Sequence, residues 1–95
     1  MHIDKAKKRI AKQIKKGFHG YPSISLAYFG ATPSIATELV ISFVLEEGAE
    51  PQLQKLVCAY DAREDETIQS TIVKIIERSN AITVTEITGN SIIQT

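Results

Sequence analysis

Basic side chains are concentrated at one end of this 95-residue chain. Residues 1–20 hold seven basic side chains and one acid, whereas residues 21–95 hold four basic side chains and ten acids. The formal net charge of zero is therefore the sum of +6 on the first segment and −6 on the second. A segment with such an excess of ammonium and guanidinium groups can bind phosphates or carboxylates. The residues that we predict to contact an anionic partner are Lys5, Lys8, Arg9, Lys12, Lys15 and Lys16.

These cations share one side of a helix predicted over residues 4–16, because apolar residues recur at helical spacing on the other side, at Ala6, Ile10 and Ile14. Gly17 is predicted to end this helix. The cations repel one another at i, i+4 spacing, at about 0.2–0.5 kcal/mol per pair, and an anionic partner would relieve that repulsion. The alternative is a solvated face that only keeps the protein dispersed.

The kind of anionic partner stays open between a protein and a nucleic acid. The Lys/Arg run contains no aromatic side chains that could stack on bases, and the chain has no glycine-rich phosphate loop. The sequence therefore favours a small non-catalytic interaction module, with a nucleic-acid-binding accessory protein as the alternative. A small enzyme is a second alternative.

The enzyme alternative requires His19 and Tyr21 to meet an acidic loop, at residues 61–66, in one pocket. Phe18, His19 and Tyr21 lie among two glycines and a proline in the segment that follows this helix. His19 could supply a titratable donor and Tyr21 a ring that contacts a ligand. The structural interpretation is a turn whose aromatic residues cover the core. No serine or cysteine is placed to form a catalytic triad with His19, so we assign no catalytic residue.

A cluster of acids at Asp61, Glu64, Asp65 and Glu66 is the second site that could do chemistry. Its spacing does not match a calcium-binding loop, and an acidic helix start, with Asp61 or Asp65 as the cap, explains it better. Cys58 has no basic neighbour to activate its thiol and is expected to be inert in a strand. No metal and no cofactor are expected.

Hydrophobic periodicity predicts one α/β domain over residues 1–95, in the order α-β-β-β-α-β. Two helices would pack on a four-stranded mixed sheet with the strand order 3-2-1-4, because the second helix forms a right-handed crossover. This outline is similar to the core of ribonuclease-H-like domains, but the first strand lacks the carboxylates that hold magnesium in those nucleases. The predicted strands span residues 23–29, 38–46, 53–60 and 82–87, the second helix spans residues 64–79, and a hairpin at Gly89-Asn90 would lead to a short strand over residues 91–94.

Apolar residues are also expected on the sheet face that the helices leave open, at Ala27, Phe29, Val40 and Val44. Such a patch predicts a weak homodimer. No apolar stretch is long enough to span a membrane, and neither a signal peptide nor paired cysteines are present, so a cytoplasmic location is expected.

Three short motifs resemble those of a family of small bacterial proteins with no established activity. They are Gly-Phe-x-Gly-Tyr-Pro at residues 17–22, Glu-Gly-Ala-Glu-Pro at residues 47–51, and Asp-x-Arg at residues 61–63. The resemblance covers about residues 12–87 and implies a bacterial cytoplasmic protein, without adding a catalytic residue. Longer members of that family continue into a cysteine-rich tail, and no metal role of such a tail is carried over to this chain.

Overall fold

The computed structural model of the chain describes residues 2–17, 19–32 and 35–92. The helices and strands follow one another in the predicted order, α-β-β-β-α-β. One short 3-10 turn (Ala62–Glu64) precedes the second helix. The elements are α1 (Ile3–Lys15), β1 (Ser23–Gly30), β2 (Glu38–Val44), β3 (Gln52–Val57), α2 (Glu66–Ser79) and β4 (Thr83–Ile92).

The four strands form one mixed sheet in the order β3-β2-β1-β4, which confirms the predicted topology. β1 pairs with β2 in the antiparallel direction and with β4 in the parallel direction, and β3 extends the antiparallel part. β1 is therefore a central strand, and β3 and β4 are the two edges.

The core lies on one face of this sheet. Alternate residues of β1 are buried, at Ile24, Leu26 and Tyr28, and three of the residues that pair with them are buried too, Leu39 and Ile41 of β2 and Val84 of β4. Both helices pack against these residues, so they cover the same face and leave the other face of the sheet open. The buried helical residues in this core are Ala6, Ile10, Ile68, Ile72, Val73 and Ile76.

The predicted hairpin at Gly89-Asn90 is wrong. β4 continues as one strand to Ile92, and its register with β1 shifts between the pairs Leu26–Glu86 and Tyr28–Asn90. The chain therefore makes an irregularity like a β-bulge at this place, because continued pairing with β1 outweighs the local turn preference of Gly-Asn. Ser91 and Ile92 belong to β4, and residues 93–94 of the predicted last strand lie outside the described residues.

Three predicted boundaries also differ from the structure. β2 ends at Val44, its last pair with β1, and β3 ends at Val57, its last pair with β2. One more bond in the same register follows β3, from the Cys58 N–H to the Thr37 carbonyl at 2.9 Å. Cys58 thus lies just beyond the strand rather than inside it, and its thiol donates to the Tyr60 carbonyl at 3.1 Å. α2 begins at Glu66, not at residue 64, since the preceding residues form the separate 3-10 turn.

Candidate anion-binding surface

Five of the six predicted anion-binding residues form an exposed surface on α1, which we call the cationic face. No ion pair joins their ammonium groups to a carboxylate in the described part of the chain. The last of them lies eleven positions after the first, which corresponds to about 16 Å along a helix. The residues of the cationic face are Lys5, Lys8, Lys12, Lys15 and Lys16.

The sixth predicted residue, Arg9, is already engaged. Its guanidinium Nη1 lies 3.3 Å from Glu77 Oε1 of α2, and Lys7, beside the core, pairs with Glu64 of the 3-10 turn. Both pairs are partly exposed, and such pairs contribute only about 0–1 kcal/mol each. Their main consequence is that two of the seven cations of α1 are neutralised within the chain, while five are not.

The apolar side of α1 fixes the direction in which the cationic face points. Ala6 and Ile10 are buried against the sheet, so residues on the opposite side of the helix must face solvent. The helix begins after His2, whose Nδ1 accepts from the Asp4 N–H at 3.3 Å, and its last residues precede Gly17, which has a positive φ of 76°. The predicted stop at Gly17 is therefore confirmed.

The cationic face continues into a cleft between the two helices. The cleft has a volume of about 270 Å³, and α1 lines it with Arg9, Lys12, Gln13 and Lys16. α2 supplies Val73, Ile76 and Glu77 on the other side. The cleft thus combines unpaired ammonium groups with apolar walls, a combination that suits an anion carrying an apolar group.

His19 and Gly20, which follow α1, are hydrogen-bonded to the first residue of β4. The buried Thr83 hydroxyl accepts from the N–H groups of His19 and Gly20, at 3.0 and 3.1 Å, and donates to the Gly20 carbonyl at 2.7 Å. The His19 side chain is exposed and Tyr21 is half-buried, whereas Phe18 lies outside the described residues. Sequence reasoning missed Thr83, because it pairs with residues 63 and 64 positions away.

The acidic cluster caps two helical segments. Asp61 Oδ1 accepts from the N–H groups of Arg63 and Ala36, at 3.1 and 3.3 Å, and Asp65 Oδ1 accepts from the Ile68 N–H at 2.9 Å. Both expected caps are therefore present, one on each segment. Across the residues that the structure describes, no group of three His, Cys, Asp or Glu side chains is arranged to hold a metal ion.

The structure does not bring His19 and the acidic cluster together. His19 is bonded to Thr83, which pairs with Ser23 at the start of β1, whereas Asp61 is bonded to Ala36, beyond the end of β1. The length of β1 separates them, about 20 Å for a strand of this size. Because proton transfer needs groups in hydrogen-bond contact, these residues do not form one catalytic site.

A buried polar pair, which the sequence did not indicate, lies beneath α1. Gln69 Nε2 donates to the Ala62 carbonyl at 2.9 Å and to Tyr28 Oη at 3.1 Å, and the Arg63 guanidinium lies 4.2 Å from the centre of the Tyr28 ring. Burial raises the pKa of Tyr28, and its hydrogen bond with Gln69 opposes this effect. The alternation of β1 predicts that Tyr28 faces the core, but no local signal identifies Gln69 as its partner.

Comparisons with protein-family models, curated proteins and solved structures give no match to this chain. Neither of the two helices in the described part of the chain has the length and apolar content that crossing a bilayer requires.

Proposed function

We propose that this chain is a small non-catalytic interaction module that binds an anionic segment of another protein through the cationic face of α1. The observation that carries the proposal is the row of five lysines without carboxylate partners among the described residues. Their mutual repulsion weakens when an anion binds. The resemblance to small bacterial proteins supports a location in the bacterial cytoplasm as part of the same proposal.

The cleft beside the cationic face favours an acidic protein segment over a nucleic acid. Val73 and Ile76 line it together with Lys12 and Lys16. A peptide with alternating acidic and apolar side chains can use both surfaces, whereas a phosphate backbone uses only the ammonium groups. The cationic face itself carries no aromatic ring on which bases could stack.

Nucleic acid remains a second candidate because of the linear arrangement of the lysines. A row of about 16 Å matches roughly five phosphates of one strand at about 3.4 Å of axial rise each. Binding of this kind would be independent of sequence and would weaken steeply with salt.

The test compares two double variants that lower the net charge equally. Lys8→Glu with Lys12→Glu alters the cationic face, and Lys74→Glu with Arg78→Glu alters exposed positions of α2. Fluorescence anisotropy measures binding to a short peptide rich in glutamate and leucine, to single-stranded RNA and to duplex DNA. We expect the first variant to raise the peptide dissociation constant about tenfold or more, and the second to change it about twofold, because charge contributes mainly where the contact forms.

Equal effects of the two variants would contradict a contact at the cationic face. Tighter binding of RNA or DNA than of the peptide, with the same dependence on Lys8 and Lys12, would replace the acidic protein by nucleic acid. No binding of any of the three probes at low salt, where ionic contacts are strongest, would refute the proposal.

A further inference from the structure

The sheet face opposite the helices is predominantly apolar or hydroxylic. Residues paired across neighbouring strands point to the same face, so the register identifies its members. They alternate along each strand with the residues that face the core. This open face includes Ser23, Ser25, Ala27 and Phe29 of β1, Glu38, Val40, Ser42 and Val44 of β2, Leu53, Lys55 and Val57 of β3, and Thr85 of β4.

The apolar part of the open face is exposed most strongly on β3. Leu53 is 70% and Val57 is 66% exposed, and the neighbouring Val40 is only half-buried. Leu53 pairs with Ser42 and Val57 with Glu38, so both belong to the same surface as Val40. Lys55 lies between Leu53 and Val57 on β3, and Val40 adjoins both of them diagonally. Exposed apolar side chains grouped in this way on a folded domain are typical of an interface.

The electrostatics of the open face differ from those of α1. Its two charged side chains, Lys55 and Glu38, pair with each other, with Nζ and Oε1 at 3.1 Å. The open face is therefore neutral, and it provides no attraction for a strongly charged partner. Two identical neutral faces can meet without net repulsion, and the Ser42 hydroxyl can donate and accept across such a contact. The Ser25 hydroxyl is bonded to Thr85 Oγ1 of its own sheet at 3.0 Å.

The dimensions of the molecule also fit a self-contact. Its extents are 33 × 31 × 19 Å, as expected for one layer of helices on one sheet. A specific dimer takes about 800 Å² from each partner, which is most of one broad side of such a slab. Small side chains at the centre, Ser25, Ala27 and Ser42, allow two sheets to pack about 10 Å apart.

We infer that the open face binds the open face of a second copy of this chain, giving a symmetric dimer in which two sheets stack and the helices lie outside. A two-fold axis places the same surface on both partners. The cationic face of α1 stays on the outside of this dimer, so the dimer presents it twice. The inference does not depend on the proposed function, because a different side of the molecule carries it.

Sedimentation equilibrium tests this dimer in the wild type and in three variants. Val40→Lys places a charge at the centre of the open face, and Leu53→Lys places one on an exposed position where folding is not at risk. Leu45→Lys is the matched control, since Leu45 is exposed but lies beyond the end of β2 and outside the open face. We expect the first two substitutions to raise the dimer dissociation constant about tenfold or more and the control to leave it nearly unchanged.

A wild-type chain that stays monomeric at millimolar concentration would overturn the inference. So would a dimer that persists in Val40→Lys, because an edge-to-edge contact through β3 would not involve Val40. The dependence on salt distinguishes a failure of this inference from a failure of the proposed function. The apolar dimer should persist at high ionic strength, whereas binding of an anionic partner through the cationic face should be lost there.

Discussion

Asp65 shows how a single side chain divides a stretch that the sequence predicted as one helix. Its φ of −87° and ψ of 114° are extended, so it ends the 3-10 turn and caps α2 at the same time. We expect Asp65→Ala to lower the free energy of unfolding by about 1 kcal/mol, because the Ile68 N–H loses its acceptor. Urea unfolding measures this loss. Asp65→Asn keeps an acceptor oxygen and should lose less, and an equal loss in both variants would contradict capping as the cause.

The raised pKa of Tyr28 predicts that the stability of the fold depends on pH through this one residue. Burial raises its pKa in the folded state above the ordinary value of 10.0, so the folded chain retains the phenolic proton at a pH where the unfolded chain releases it. The stability due to the neutral phenol is therefore complete below about pH 10 and decreases as the pH rises further.

Tyr28→Phe isolates this effect, because both proteins retain Tyr21 and Tyr60. Below about pH 9 we expect the variant to be less stable by about 1 kcal/mol, since Gln69 loses an acceptor. Above about pH 10 the difference should shrink as the wild type loses stability. Urea unfolding at a series of pH values measures both curves, and a difference that stays constant up to about pH 11 would contradict a raised pKa for Tyr28.

At the scale of elements, strong periodicity predicted the helices and the sheet order correctly. The alternation of β1 and the isoleucine spacing of α2 are local signals, and the handedness of a crossover then determines which strand lies beside β1. The end of β4 was predicted wrongly, because Gly89-Asn90 is a turn signal only where no neighbouring strand offers continued pairing. β1 offers that pairing through Ser91 and Ile92.

The cationic face was predictable for the same local reason, whereas the two ion pairs that α1 makes through Lys7 and Arg9 were not. Lys8 and Lys12 lie opposite an apolar stripe that the sequence displays directly. Arg9 and Lys7 have carboxylate partners 68 and 57 residues away, and those contacts depend on how α1 lies against α2 and the 3-10 turn. The sequence thus indicates which side of a helix is cationic, but only tertiary packing decides which cations remain unpaired.

At the scale of the whole molecule, the two helices cover β1 and its neighbours better than they cover β3. The sequence predicted the open-face residues of β1 and β2, but not those of β3, because the alternation there gave no sign that Leu53 and Val57 would be exposed. Their exposure follows from their place on the open face of an edge strand, where no helix covers them and no further strand lies beside them. A groove of about 460 Å³ between α2 and β3 marks this incomplete cover.

This uneven cover predicts an uneven local stability. The amides of β1 are paired on both sides and lie over buried Ile24 and Leu26, whereas β3 pairs only with β2 and is exposed along most of its length. Amide hydrogen exchange follows local opening of the structure. We therefore expect the β3 amides to exchange at least about ten times faster than the β1 amides. Exchange measured by NMR at chain concentrations well below the dimer dissociation constant checks this ratio. Equal protection of the two strands would show that β3 opens only when the whole domain unfolds, and that its exposed position does not weaken it.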